Sequence, residues 1–600
     1  MAQAALHEKA LDLARRAAFV FTMLAGGTTL AGPPYIATSE ITFPGVDFQY
    51  TDLAMDAQGN AYAAGVIVGH DFPGVSSAQV LNAGAGFRFV ARFGPFDRSP
   101  AFVAIVGAPL PNRAPLVSDD FPSIGLMGLA LDGAGNAYTV AYEAALERDY
   151  PQRGGAFVAT PGSDRYVYRI SPTGVISRLG PPLDPAIRRI AALAVDAAGG
   201  LYLTGSASNG LRTTAGAPYA ATSVASGCIA PYALKLDAAG ATVYATYLGF
   251  AGTSGHLCVP PAGLPGLDPT GYAITVDAQG SAVIAGQAQA GVVATSGAID
   301  SGSKVPGPYA GNPLITDPAS HAFVTRIDPS GTRIVFSARL GGSLRDRATA
   351  VILDGAGGVI VAGKTTSPDF PQRGTLPFLT SYFVDCLLGK PEFGFLAKLA
   401  ADGSALAFSG FLPLDGGELD DCGAKWATTG FAPAKLALDA QGNIVVAGPT
   451  TQYNRGLLES DDAMMPAPTG SSFGGGQALV VVSADGRLLY SSALPQQNLR
   501  GLGIDRWHNL LVAGARGLTR IAEGRRPVDL QLTPASPCTN TPILLSALAP
   551  GSNDSGAIEF RVDGTVVATK PVSNTAAAHT LTLPVGVRKI AATLSWTGPL

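Results

Sequence analysis

The 600-residue chain has little charge and few histidines, and both shortages exclude classes of function. Charged residues make up 14 %, and the formal net charge is −4. No basic stripe is available to neutralise phosphates, so nucleic acid is not expected as a partner. The six histidines are scattered and show no metal-ligand spacing. No apolar run is long enough to span a bilayer, so no transmembrane segment is predicted.

Motifs of common catalytic sites are also missing. The chain has no G-x-S-x-G nucleophile motif, no Walker loop and no dinucleotide fingerprint. An enzyme needs acids, bases or a metal that converge at one point, and no such set is legible in the sequence. We therefore predict that the protein is not an enzyme and that it carries no resident cofactor.

What the sequence does contain is a unit that recurs seven times. It reads Asp439-Ala440-Gln441-Gly442-Asn443, followed by an apolar run that ends in Gly448. The Asp side chain can accept hydrogen bonds from nearby amides, and the Gly allows a positive φ. Each copy therefore predicts a tight turn between two antiparallel strands, a and b. The copies begin at Asp56, Asp132, Asp196, Asp277, Asp354, Asp439 and Asp505.

A second hairpin, with strands c and d, follows each first one. In the fourth copy it consists of residues 322–327, the turn 328–331 and residues 334–342. Seven units of four antiparallel strands are typical of a β-propeller, in which packing around a ring buries both faces of every sheet. The predicted fold is therefore all-β, a seven-bladed propeller over residues 17–526. Its a–b and c–d turns are short, whereas the b–c and d–a connections are long and lie on the opposite face, the long-loop face.

The repeat resembles a known family. The D-A-x-G-N-x-Y-x-x-G unit and the second hairpin ending in Y-L-G-G are similar to the SBBP (beta-propeller) repeat of bacterial secreted proteins. So is the D-F/Y-P motif after strand b, at Asp71-Phe72-Pro73, Asp149-Tyr150-Pro151 and Asp369-Phe370-Pro371. The resemblance covers residues 17–524 and implies a fold rather than an activity. The seventh copy departs from it by lacking the turn Gly, and the second by ending in Ala141.

The start of the chain has two interpretations. Residues 1–16 form a predicted helix or leader, and residues 17–27 are either the apolar part of a signal peptide or a strand. We favour the strand, because Phe19–Gly27 aligns with the d strands and the last blade lacks one. The N-terminal strand is thus predicted to complete blade 7 and close the ring, which removes exposed edges.

Residues 527–600 change to single alternating strands, which predict a small β-sandwich. The F-R-V-D-G-T hairpin and the G-V-R-K-I-A-A-T-L-S-W ending resemble bacterial Ig-like repeats. The sandwich is either incomplete at Leu600 or pairs its strands differently.

The cysteines indicate a compartment. Cys228 and Cys258 bracket strands c and d of blade 3, and Cys386 and Cys422 hold the equivalent places in blade 5. The ends of one hairpin are neighbours, so we predict the disulfides Cys228–Cys258 and Cys386–Cys422, with Cys538 left over. Disulfides place the protein outside the cell, on its surface or in the periplasm.

Two acidic loops on the long-loop face are the only metal candidates. Together the two loops could form a Ca²⁺ site or a carboxylate pair that acts on sugars. The alternative is that both are ordinary solvated acidic loops, and we favour this alternative. The residues are Glu418, Asp420, Asp421, Glu459, Asp461 and Asp462.

The sequence predicts a monomeric secreted or cell-surface binding or scaffold protein. Loops on a rigid scaffold are where binding residues usually lie, so the long-loop face is expected to bind protein or polysaccharide. The alternatives are a propeller-fold carbohydrate-active enzyme, either a lyase or a glycosidase, and a purely structural surface protein.

Overall fold

In the residues that it describes, the computed structural model contains 35 strands. It describes residues 35–41, 47–68, 86–95, 97, 99–110, 128–142, 164–220, 223–226, 228–249, 270–288, 292–301, 320–367, 369–376, 393–412, 431, 433–439, 441–450, 476–494, 499–505, 509–514, 517–523, 525–527, 529–533, 542–548, 556–562, 565–571, 576–582 and 590–596. Within these ranges no helix is long and apolar enough to cross a membrane.

Seven four-stranded antiparallel sheets follow the seven repeats, as predicted. The chain enters with β1 (Tyr35–Ile41). Blade 1 contains β2 (Asp47–Met55), β3 (Ala61–Val68), β4 (Gly86–Phe93) and β5 (Phe102–Leu110). Blade 2 contains β6 (Ala130–Leu131), β7 (Ala137–Tyr142), β8 (Arg165–Ile170) and β9 (Ile176–Leu179). Blade 3 contains β10 (Ile187–Val195), β11 (Leu201–Ser208), β12 (Ile229–Leu236) and β13 (Thr242–Tyr247).

The other blades repeat this order. Blade 4 contains β14 (Thr270–Val276), β15 (Ala282–Ala288), β16 (His321–Ile327) and β17 (Ile334–Leu340). Blade 5 contains β18 (Asp346–Leu353), β19 (Val359–Thr365), β20 (Phe393–Leu399) and β21 (Leu406–Phe411). Blade 6 contains β22 (Lys435–Leu438), β23 (Ile444–Pro449), β24 (Gln477–Val482) and β25 (Leu488–Leu494). Blade 7 contains β26 (Gly501–Ile504), β27 (Leu510–Ala513), β28 (Leu518–Glu523) and β1.

Each a–b turn is closed by the Asp that begins the repeat. Asp56 Oδ1 accepts hydrogen bonds from the amides of Gln58 (3.0 Å) and Asn60 (2.8 Å), and its Oδ2 accepts one from Asn60 Nδ2 (2.7 Å). Gly59 has a φ of 84°, which a Cβ disfavours. The turn chemistry predicted from the sequence is confirmed. The same pair of amide bonds recurs at Asp132, Asp196, Asp277, Asp354 and Asp439.

Hydrophobic packing lies between blades. Each of the seven clusters of buried side chains joins two neighbouring sheets, and together they run around the whole ring. The cluster between blades 7 and 1 contains Ile41, Phe48 and Leu518. One blade cannot cover both of its own faces, so stability depends on the continuity of these seven interfaces.

Closure by the N-terminal part of the chain is confirmed, but the predicted strand is wrong. The outer strand of blade 7 is β1, which pairs antiparallel with β28 from Tyr35↔Glu523 to Ile41↔Leu518. Residues 17–27, like the predicted helix 1–16, lie outside the described ranges. An outer strand packs only one face against a neighbour, and Tyr35–Ile41, which contains Thr38, Ser39 and Glu40, suits that place better than the continuous apolar run at Phe19.

The b–c connections of blades 3, 4 and 5 turn back along the outer strand of their own blade. Thr214 N donates to Ala245 O (3.0 Å), Thr295 N to Ser337 O (2.9 Å), and residue 373 exchanges two backbone bonds with Ser409. These stretches cover the outer edges, which would otherwise be free to pair with another chain. Their described parts therefore form the perimeter of the ring and do not lie over its centre.

Two further sheets follow the propeller. One has the strand order β29 (Arg525–Pro527), β35 (Ile590–Trp596), β32 (Gly556–Val562) and β33 (Thr565–Pro571). The other has the order β30 (Asp529–Thr533), β31 (Pro542–Leu548) and β34 (Ala576–Thr582). The rings of Phe560 and His579, one from each sheet, lie 6.0 Å apart. The sheets thus pack against each other, and the Ig-like assignment of 527–600 stays a prediction.

Candidate functional site at the long-loop end of the channel

The first strand of each blade lies innermost. Consecutive first strands contact one another around the ring, from β2 through β6, β10, β14, β18, β22 and β26 and back to β2. They enclose a central channel. Each first strand runs from the long-loop face to its short a–b turn, so residues near its beginning lie at the long-loop end of the channel.

Four of these inner strands contain a β-bulge at the same place. The register shifts between Tyr50/Asp52, Ile190/Ala192, Gly271/Ala273 and Ala348/Ala350. A bulge bends the strand and re-aims its side chains. The residue inserted at the bulge is Thr51, Ala191, Tyr272 or Thr349.

A glycine of strand b makes room for each bulge. A Cβ on Gly363 would lie 2.0 Å from Arg347 O, and one on Gly286 would lie 2.1 Å from Thr270 O. Gly205 and Gly65 have the same relation to carbonyl oxygens of β10 and β2. The terminal Gly of the repeat is thus explained by close backbone approach, a use of Gly that is common in strands.

The bulges bring two arginines and a tyrosine together. Arg189 of β10 and Arg347 of β18 each stand two residues before a bulge, and Tyr272 of β14 is the bulge residue of the blade between them. The guanidinium carbons lie 5.4 Å (Arg189) and 5.7 Å (Arg347) from the Tyr272 ring centroid. In the described part of the chain, neither arginine pairs with a carboxylate. We call these three residues the arginine–tyrosine cluster.

The opposite side of the channel is neutralised. Lys435 Nζ of blade 6 lies 2.7 Å from Asp52 Oδ1 of blade 1, so the pair spans the intervening blade 7. Asp52 Oδ2 also accepts a hydrogen bond from the amide of Leu129 in blade 2 (3.0 Å). Asp52 therefore ties three blades together and compensates the lysine. Positive charge without a partner is confined to the blades 3–5 side of the described channel wall.

Behind the cluster lies a buried polar network centred on Asp346. Its carboxylate accepts hydrogen bonds from Thr365 Oγ1 (2.5 Å), Ser367 Oγ (3.1 Å) and the amide of Gly342 (2.9 Å). His321 Nδ1 is 4.0 Å away, beyond hydrogen-bond distance. Burial raises the pKa of Asp346, and the donors that surround it oppose the rise. The network fixes the start of β18, immediately before Arg347.

We expect Asp346→Asn to lower the free energy of unfolding by about 2–3 kcal/mol, since the amide nitrogen cannot accept the bonds that Oδ2 accepts now. Urea unfolding measures the change. Asp402→Asn, in an exposed c–d turn of the same blade, is the matched control with a much smaller effect. Equal losses for both variants would contradict the role given to the network.

The D-F-P motif has a structural role in blade 5. Asp369 Oδ1 accepts hydrogen bonds from the amide (2.8 Å) and the hydroxyl (3.0 Å) of Ser343, in the link between blades 4 and 5. Phe370 is buried, with its ring centroid 4.4 Å from that of Phe395. The motif therefore ties the b–c connection of blade 5 to the link from blade 4, and nothing in its described contacts points to a ligand.

Most of the candidate metal and disulfide residues lie outside the described ranges. This holds for all six acidic candidates, so the Ca²⁺ hypothesis stays a prediction. Among the described residues no group of three or more His, Cys, Asp or Glu side chains could hold a metal ion. Cys228 is buried and disulfide-bonded. Its pairing with Cys258 and that of Cys386 with Cys422 stay predictions, because these three cysteines and Cys538 are not described.

Comparisons with known proteins give no family. No family model matches the chain, and no curated protein does. Among solved structures, the WD40 propeller domain of Doa1 is similar at 9 % identity and a TM-score of 0.35, over 81 % of this chain and 96 % of that one. Virginiamycin B lyase from Staphylococcus aureus is similar at 7 % identity and a TM-score of 0.34, over 81 % of this chain and 99 % of that one. A gluconolactonase from Xanthomonas campestris is similar at 11 % identity and a TM-score of 0.28, over 81 % of this chain and 98 % of that one.

The prediction that the protein is not an enzyme is corrected here. Two of these three similar propellers, the lyase and the gluconolactonase, are enzymes. The prediction relied on the lack of a contiguous catalytic motif. In a propeller, residues from different blades meet at the channel, as Arg189, Tyr272 and Arg347 do, and such a set leaves no local motif to read. The similarities are too distant to assign an activity.

Proposed function

We propose that this chain is a secreted or surface-displayed propeller of the SBBP type, followed by an Ig-like domain, that binds polysaccharide through its long-loop face. The observation that carries the proposal is the arginine–tyrosine cluster. It places polar and aromatic groups of three blades at one end of the channel, without a partner carboxylate among the described residues. The disulfide-bonded Cys228 supports a location in an oxidising compartment.

The two faces differ in what they offer a ligand. On the short-turn face the carboxylates of the repeat accept hydrogen bonds from their own turns. At the long-loop end, the guanidinium carbons of Arg189 and Arg347 lie 5.4 and 5.7 Å from the Tyr272 ring centroid, and neither group pairs with a carboxylate of the described residues. Polar groups without an internal partner at the mouth of a rigid scaffold are what a binding site requires.

Polysaccharide is favoured over protein by the distribution of exposed apolar side chains. Protein interfaces have an apolar, often aromatic core. The exposed large hydrophobics of the described propeller are scattered over different blades, and most lie at the start of an outer strand, far from the channel. They are Val175, Val243, Val293, Val335 and Leu489.

A glycan array tests the proposal. We expect the labelled protein to bind a defined set of saccharides, and Tyr272→Ala to weaken binding at least about tenfold. Gln279→Ala, in the exposed a–b turn of the same blade, is the control and should bind like wild type. Melting curves verify that both variants are folded. Binding that Gln279→Ala abolishes and Tyr272→Ala leaves intact would assign the site to the other face, and an array without any bound saccharide would refute the function.

A further inference from the structure

We infer that the arginine–tyrosine cluster is a carboxylate subsite, so that the saccharide is acidic and carries uronic acids. The inference rests on the proposed function and names its ligand class. It concerns Arg189, Tyr272 and Arg347, which three consecutive blades bring to one point.

Neither guanidinium group pairs with a carboxylate of the described residues. A guanidinium group that contacts the face of an aromatic ring keeps N–H groups that can donate to a ligand. Two such groups lie beside one ring here, at 5.4 and 5.7 Å from its centroid. A carboxylate accepts paired N–H bonds from arginine, and it also relieves the repulsion between the two cations. Hydroxyl groups of neutral sugars also accept N–H bonds, but these bonds are weaker and a neutral sugar does not relieve the repulsion.

The cluster is held in position by the backbone. Arg189 and Arg347 precede bulges whose carbonyl oxygens approach Gly205 and Gly363 closely. Arg347 also follows Asp346, which the buried network fixes. Side chains on a fixed backbone lose less freedom when they bind, so a pair of arginines in such a place favours a specific anion over a loose ion atmosphere.

The other charges of the protein do not attract a polyanion, so that anion binding should be confined to the arginine–tyrosine cluster. The protein carries a net charge of −4, and Lys435, which also faces the channel, is already paired with Asp52. A polyanion is therefore attracted at the arginine–tyrosine cluster and not by the surface as a whole. Binding should weaken steeply as salt is added, since the interaction is between charges that water can reach.

The test is calorimetric titration with oligogalacturonate, using neutral galacto-oligosaccharide of the same length for comparison. We expect the acidic oligomer to bind and the neutral one to bind at least about tenfold more weakly. Arg189→Gln and Arg347→Gln should each cost about tenfold or more in affinity, and the double variant more than either. Arg212→Gln removes an arginine that is 82 % exposed in the outer b–c connection, and it should bind like wild type.

The salt dependence of the wild-type protein is a second readout that needs no variant, and it should be lost in the double variant. Equal affinity for neutral and acidic oligomers would overturn the inference while the proposed function stands. Dextran sulfate binding more tightly than oligogalacturonate would overturn the carboxylate assignment. Poly-glutamate binding where oligogalacturonate does not bind would overturn the assignment of the ligand as a uronic-acid saccharide. Failure of every saccharide on the array would instead refute the proposed function.

Discussion

A chain that begins at residue 45 should lose its cooperative unfolding transition, because it lacks β1. That strand supplies the whole outer ladder of blade 7, paired with β28 from Tyr35↔Glu523 to Ile41↔Leu518. It also contributes Ile41 to the core between blades 7 and 1, beside Phe48. We expect a loss of several kcal/mol, a large share of the roughly 5–15 kcal/mol that stabilises ordinary proteins. β28 would become an exposed edge, so aggregation should increase as well.

The matched control begins at residue 31 and keeps all of β1. Scanning calorimetry should give one sharp transition for this chain and a broad, earlier one for the shorter chain. A synthetic peptide of residues 33–44, added to the shorter chain, should restore part of the transition by adding a strand to the free edge. If both truncated chains melt alike, β1 does not close the ring.

The repeat architecture was predictable because its determinants are local. Asp56 and Gly59 close a turn within a few residues, and the same letters recur at each copy. Even the seventh copy, which lacks the turn Gly, keeps Asp505 bonded to the amide of Asn509 (2.9 Å). A turn of this kind is determined by a few neighbouring residues and does not depend on the rest of the fold. Counting the seven turns and the hairpins around them therefore gives the number of blades.

The closing strand and the arginine–tyrosine cluster depend on distant partners. β1 pairs with β28, which comes from the last repeat in the sequence, and no residue pattern in Tyr35–Ile41 predicts that pairing. The cluster comes from three repeats. An alignment of the repeats on their turn Asp would have hinted at it, since Arg189 precedes Asp196 by the same seven positions as Arg347 precedes Asp354. The bulge that aims these side chains leaves no mark in the sequence except the Gly opposite.

Gly363 is the glycine opposite the bulge of blade 5, and there a single added methyl group should have a large effect on the free energy of unfolding. A Cβ on Gly363 would lie 2.0 Å from Arg347 O and 2.8 Å from Phe395 Cε1, closer than real Cβ contacts. Gly363→Ala must therefore push β18 away from β19 or displace the Phe395 ring. We expect a loss of about 3 kcal/mol or more in the free energy of unfolding, at the upper end of what overpacking costs.

The matched control for Gly363→Ala is Gly355→Ala in the a–b turn of the same blade, where nothing lies within 4 Å of the added Cβ. This change should leave stability within about 0.5 kcal/mol of wild type. Urea unfolding measures both variants. Because Gly363 faces the carbonyl of Arg347, its variant should also weaken oligogalacturonate binding, whereas Gly355→Ala should not. A Gly363→Ala protein as stable as the control would mean that the inner strand yields freely, and the bulge would then be too soft to position Arg347.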